Sequence, residues 1–220
     1  MNKITLQLVL LIFLISCSQK ETLNEQNLTP LQKLEAGNQR FSSEHPIHPN
    51  ETLERLRELK NGQHPFATVI TCSDSRVPVE IVFDQGFGDI FTIRTAGNIM
   101  GSIELGSIEY AVEHLDCKLI VVMGHKECGA IQAFIDSNGH YFHYDHIKKL
   151  IEYIENEKEE KELISHHELG LDKAINANIE HGVNLLKNSE PILKEYCEKK
   201  GLEIIGALYD IETGVVHFDN

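Results

Sequence analysis

Three short apolar runs rich in β-branched residues, at 66–71, 90–94 and 119–123, constrain this chain most, because the first and third run straight into reactive side chains. Each has the length of a buried strand. Helical stretches lie between them, at about 79–84 and 103–115. Strands alternating with helices predict an α/β fold with a mostly parallel β-sheet core flanked by helices. In such sheets ligands gather where strands end and loops begin, and the reactive residues fall at those ends.

The rest of the chain fits around that core. Thr29-Pro30 is a good helix start, with Thr as cap and Pro in the first turn, and the helix carries Leu31, Leu34 and Phe41 to about Ser42-Ser43. A second helix is expected over 51–60, stopped by Asn61-Gly62. From His140 to His167 the chain becomes a Lys/Glu-rich helical insert with a thin apolar stripe of Ile147, Leu150, Ile151 and Ile154. Such charged, periodic stretches are usually solvated faces, so a solvated helix is expected there. Helices at about 172–186 and 191–200 and closing strands at 203–209 and 215–218 complete the reading, with no internal repeat.

The N-terminus reads Met1-Asn2-Lys3, then an apolar run from 4 to 15 that ends in Ser16-Cys17 and a polar stretch. The run is too short to span a bilayer comfortably, and its order resembles a bacterial lipoprotein signal. The expected organisation is a signal peptide at 1–16, a lipidated Cys17 with a polar tether at 17–28, and one domain at 29–220 carrying the insert at about 140–170. The protein is then exported and periplasmic, touching membrane only through the N-terminal lipid. Acidic residues outnumber basic ones by 34 to 20, for a net charge of -14, which excludes nucleic acid as a partner and leaves a small neutral substrate unhindered.

Two segments carry the chemistry. Cys72-Ser73-Asp74-Ser75-Arg76 follows the first strand, and His125-Lys126-Glu127-Cys128-Gly129 follows the third. Zinc prefers thiolate and imidazole ligands in a tetrahedron. His125 and Cys128, three apart at a strand-to-helix turn, can face one point, and Cys72 at a neighbouring strand tip can supply the third ligand. Three protein ligands leave a fourth position open, the mark of a catalytic zinc. Plainer explanations exist: a cysteine after a strand is most often a small buried hydrophobe, and in an exported protein two disulfides compete with a metal for the four cysteines beyond Cys17. Two motifs at matched strand ends favour one zinc per subunit, with Cys117 and Cys197 left as small buried thiols. Asp74 and Arg76 can form a bidentate, charge-assisted pair. As a structural pair they close the loop. As catalytic residues, Asp74 sits beside the open position while Arg76 keeps it ionised and turned from the metal.

The set Cys72, Asp74, Arg76, His125 and Cys128, as Cys-x-Asp-x-Arg followed by His-x-x-Cys, resembles the β-carbonic anhydrase family. Phe83-Asp84-Gln85-Gly86 and the blocks at 93–98, 106–112 and 206–210 extend the likeness over roughly 31–218. The resemblance implies zinc-dependent, reversible hydration of carbon dioxide to bicarbonate and a proton by attack of zinc-bound hydroxide. It further implies a homodimer or dimer of dimers, with N-terminal helices wrapping the neighbouring subunit. Pocket positions carry over as well. Gln63, nine before Cys72, resembles a substrate-oriented glutamine; Phe91 and Tyr110 match an apolar wall; Ala96 stands where the family has valine; and Gly129 matches a close-packed residue after the second cysteine. A regulated subclass has Trp three residues before the first zinc cysteine, with partners matching Arg94 and Tyr209. Here that position is Val69 and the chain has no Trp, which implies a site that stays open at neutral pH.

Two other functions fit parts of the sequence. The resemblance also implies an alternative within the same fold, since some relatives of carbonic anhydrases hydrolyse carbon disulfide or carbonyl sulfide; the zinc set does not separate these substrates, and sulfide release would. A non-catalytic periplasmic zinc-binding lipoprotein would use the histidines of the insert, His140, His143, His146, His166 and His167, of which His143 and His146 lie three apart.

Overall fold

Four parallel strands and one antiparallel edge form the sheet in a computed structural model that describes residues 27–137, 145–166 and 170–219. The signal segment, Cys17, most of the tether, His140, His143 and His167 lie outside the described residues. Among those described, no helix is long and apolar enough to cross a membrane. The strands β1 (Ala67–Cys72), β2 (Ile90–Thr95), β3 (Leu119–His125), β4 (Glu203–Tyr209) and β5 (Val216–Phe218) stand in the order β2-β1-β3-β4-β5. Only β5 runs antiparallel, on β4.

Alternation explains why β1 and β3 read as continuous apolar runs. Val69 and Val121 bury towards one face with Leu34 and Phe83, while Ile70, Ile120 and Val122 bury towards the other with Ile108 and Leu186. Both faces are covered, so every residue of both strands is buried. The chain steps outward from β1 to β2, through a short helix at Val79–Val82, and then returns to place β3 on the other side of β1. The strand order therefore reverses at the β1–β3 seam, where Cys72 and His125 end their strands. The apolar run predicts an end at 123, but β3 continues through Gly124. A side chain at Gly124 would meet Ile179 Cδ1 at 2.7 Å, so glycine lets the covering helix close on the strand beside His125.

The helix α1 (Pro30–Ser42) starts as the sequence predicts: Gln32 N–H donates to Thr29 Oγ1 at 3.2 Å and Thr29 N–H to Gln32 Oε1 at 3.0 Å. It buries Leu34 in its own core, and Asn38 donates to the carbonyls of Val82 and Gly214 while accepting from the Val216 N–H. Of the two N-terminal helices expected to reach a neighbour, only α2 (Leu53–Glu58) buries nothing within the chain. Next come α3 (Val79–Val82) and α4 (Ser102–His114). Between β3 and β4 lie α5 (Gly129–Ser137), α6 (His146–Asn156), α7 (Lys158–Ser165), α8 (Leu171–Lys187) and α9 (Ile192–Lys199).

The insert corrects the solvated-helix expectation. Ile151 and Ile154 of α6 are buried in one cluster with Cys72, Cys128, Ile131 and Ile175, and Glu157 and Glu160 are buried beyond them. Ile147, in the same apolar stripe, is instead 54% exposed. Charge on the outer face dominates the composition and conceals how deeply the inner face packs.

Candidate metal centre

Cys72, His125 and Cys128 are all buried, and their ligand atoms lie within 4.8 Å of one another. No other such group occurs among the described residues. The two sulfurs are 4.0 Å apart. Thiolates about 2.3 Å from one tetrahedral zinc stand roughly 3.8 Å apart, whereas a disulfide requires about 2.05 Å. The spacing is that of a metal pair, and the four described cysteines are free thiols. Cys117 is buried as expected, but Cys197 is only partly so.

The imidazole supplies an independent test. His125 Nδ1 lies 2.8 Å from the Lys126 carbonyl. A carbonyl only accepts, so Nδ1 carries the proton and Nε2 presents a lone pair. That Nε2 is buried and has no hydrogen-bond partner among the described residues. Buried polar atoms are seldom orphaned without a reason; metal ligation, with the second nitrogen fixed by a carbonyl, supplies one.

The thiols are prepared unequally. A hydrogen bond from Cys128 most strongly draws the Cys72 thiol down from its ordinary value, against the opposing effect of burial. The backbone N–H groups of Gly97 and Asp74 add to the lowering, at 3.3 and 3.4 Å from the sulfur. Cys128 is pushed up by that same hydrogen bond, by burial and by the charge on Cys72. One sulfur is thus favoured as thiolate at the other's expense, and a dication held between them would offset that repulsion. Backbone geometry makes the contacts possible. Gly97 has φ +68°, and a side chain there would lie 3.0 Å from Ala130 Cβ, so glycine both adopts the turn and fits it.

Asp74 lies at the margin of the set, its Oδ2 3.9 Å from His125 Nε2. Arg76 occupies both carboxylate oxygens: Nε donates to Oδ1 at 3.0 Å, Nη2 to Oδ2 at 2.8 Å, and the backbone N–H to Oδ1 at 2.9 Å. These bonds hold the Asp74 carboxyl far below the usual carboxylate range. Nη2 of Arg76 also donates to the Glu127 carbonyl at 3.1 Å, tying the two ligand loops together. Glu127 itself sits at φ +56°, an uncommon conformation for such a residue.

The remaining pocket positions are less enclosed. Phe91 on β2 and Tyr110 on α4 form a ring pair with centroids 6.4 Å apart, but Tyr110 is 47% exposed. Gln63 and Ala96 are exposed within the chain. A side chain at Gly129 would meet no atom within 4 Å, so the close packing expected there is not found within the chain. Arg94 donates to the carbonyls of Cys72 at 3.1 Å and Asp74 at 2.6 Å, and thereby buttresses the first ligand loop. Sequence reasoning missed that role, as it missed the Gly97 N–H; both are contacts to main-chain or sulfur atoms that residue types do not announce.

Comparison with known proteins agrees with this geometry. Residues 67–216 match the family model for carbonic anhydrase. A carbonic anhydrase of Mycolicibacterium smegmatis is 46% identical over 114 residues, covering 52% of this chain and 55% of that protein. The chain spans about half the length of the mycobacterial relatives it matches. The solved structure of the β-carbonic anhydrase CcaA superposes with a TM-score of 0.68 at 28% identity, covering 86% of this chain and 95% of that one. A structure from the two tetrameric β-carbonic anhydrases of Sordaria macrospora gives 0.64 at 26% identity, covering 74% and 84%.

Proposed function

The chain belongs to the β class of the carbonic anhydrase family, and from that premise we propose that it reversibly hydrates carbon dioxide to bicarbonate and a proton at a zinc held by Cys72, His125 and Cys128. The observation that carries this reading is the buried, unpartnered Nε2 of His125, facing two sulfurs at zinc spacing. Zinc bound there supplies an activated water nucleophile at neutral pH.

The chain's own residues do the rest. Asp74, ionised and acceptor-only, takes a hydrogen bond from the attacking water at Oδ2 and so turns a water lone pair towards carbon dioxide. Arg76 keeps that carboxylate from rotating into the ligand set. The Arg76 fork keeps that carboxylate ionised, so Asp74 serves as the acceptor that orients the water. The Phe91–Tyr110 wall receives the apolar substrate. Because β2 is an edge strand and this wall is partly open within one chain, a second copy lying against it completes the enclosure. The functional unit is a homodimer or dimer of dimers, which the tetrameric relatives support.

Stopped-flow hydration by the zinc-loaded protein tests the activity. Asp74→Asn is expected to retain zinc and lose about 10- to 100-fold in turnover, the usual size of a lost outer contact. Zinc-loaded protein that leaves carbon dioxide untouched overturns the proposal.

The same proposal places the enzyme outside the cytoplasmic membrane, tethered by lipid on Cys17; its support is the order of residues at the N-terminus. Expressed in a bacterial host fed labelled palmitate, the wild type should take up label and Cys17→Ser should not. Equal labelling overturns the tether.

A further inference from the structure

Buried polar side chains join the helical insert to the metal loop. Glu157 between α6 and α7, Asn178 on α8 and Asn98 are each no more than 3% exposed. Asn178 Nδ2 donates to Glu157 Oε1 at 3.2 Å and Oε2 at 3.3 Å, and Asn178 Oδ1 accepts from Asn98 Nδ2. Asn98 closes the turn Ala96–Asn98 that carries Gly97, whose N–H donates to Cys72 Sγ. Each amide donates towards Glu157, so its carboxyl is the terminal acceptor. Ile154, three residues before Glu157, lies beside the same turn: a side chain at Gly97 would come within 3.7 Å of its Cδ1.

We propose that Glu157 and Asn178 are positioning residues of the metal centre, fixing Asn98 and through it the Gly97 N–H on the Cys72 sulfur. A segment with no ligand of its own thereby sets how tightly the metal is held. The inference rests on the metal-site reading above, though not on which reaction follows. Its physical basis is the turn itself. Asn98 at φ +47° and Gly97 at φ +68° are left-handed in succession, and the non-glycine member keeps that conformation because its surroundings hold it. Cutting the chain at Asn178 leaves the Asn98 amide and the Glu157 carboxyl buried without partners, which costs enough to move the turn. A small rotation suffices, since hydrogen bonds weaken steeply with angle.

Burial pushes Glu157 up to about 9, so its carboxyl is neutral at physiological pH and glutamine is a near match in shape and acceptor. That gives the test its control. Full-length, zinc-loaded wild type, Asn178→Leu, Glu157→Leu and Glu157→Gln are compared by chelator competition for zinc. The sulfur-to-metal charge-transfer spectrum of the cobalt-substituted forms and thermal unfolding are recorded alongside. The expected result is a zinc Kd weakened about tenfold in both leucine variants, with a shifted spectrum, and within about twofold of wild type for Glu157→Gln. If Asn178→Leu does not fold, Asn178→Ser severs the same bonds with less volume and decides the matter. Leucine or serine variants that melt earlier yet keep wild-type Kd and spectrum overturn the proposal, since stability alone would then explain them. An equal loss in Glu157→Gln overturns it too. Carbon dioxide hydration is measured on the same samples: wild type that binds zinc without hydrating overturns the proposed activity, while the Kd comparison still decides this inference.

Discussion

Cys72 and His125 are the last residues of β1 and β3, six- and seven-residue strands in which every position is buried; the insert at 145–166 reaches the same centre with Ile154 and Glu157, neither of which belongs to the ligand set. The sheet fixes its ligands by register, because parallel pairing leaves each strand tip one arrangement. The insert acts by filling space and by terminating a hydrogen-bond chain. The difference teaches that the chemistry of this site is set at the strand ends, while its precision depends on helices that share no motif with it.

The sharpest way to break that comparison is at the strand end. Cys128→Ser should weaken zinc binding by more than about 100-fold, beyond what outer contacts cause, while the circular dichroism spectrum stays that of a folded α/β protein; a variant that still holds stoichiometric zinc contradicts the division of labour. Within the insert, Ile154→Ala removes a fully buried side chain and should cost about 2–5 kcal/mol in urea unfolding. Ile147→Ala, two turns earlier on the same stripe but exposed at the helix start, should stay within about 0.5 kcal/mol. An equally small cost at both positions would restore the solvated-helix view.

A pH series separates the regions further. Burial pushes Glu157 up to about 9 and Glu160 up to about 8, both above their ordinary 4.5. Between 4.5 and those values the folded chain keeps protons that the unfolded chain has released, so stability falls as pH rises through that window and levels off above about 9. The neighbouring Glu159, which accepts from His181 and Asn184, adds repulsion to both. The urea midpoint should be lower at pH 9 than at pH 6, and Glu160→Gln should flatten the difference; a flat wild-type profile would mean that the buried carboxyls are hydrated. The smallest effect is expected at the rim. Lys126 pairs with Asp210 at 2.8 Å but is 45% exposed, so Lys126→Ala should leave the thermal midpoint unchanged within error, and a clear drop would give the pair a structural role.

The metal set was legible because its residues sit in two short motifs beside strands that announce themselves; 203–209 was read as a strand to the residue. The contacts that tune the set were not, because they join distant positions. Gly97 reaches Cys72 across 25 residues, and Asn98 reaches Asn178 across 80. Neither leaves a local pattern. The insert misled for a different reason: exposed Lys and Glu outnumber the two isoleucines that face inward, and composition weighs all residues alike. Gly129 shows the limit of resemblance, since a matched residue need not have the matched surroundings within one chain.

The most direct test of the central claim is X-ray absorption at the zinc edge of purified full-length protein. Two sulfur scatterers at about 2.3 Å and two light scatterers near 2.0 Å, one of them lost in His125→Ala, are expected from a site with three protein ligands and an open position. A third sulfur in the shell, or a zinc with no sulfur at all, would contradict it.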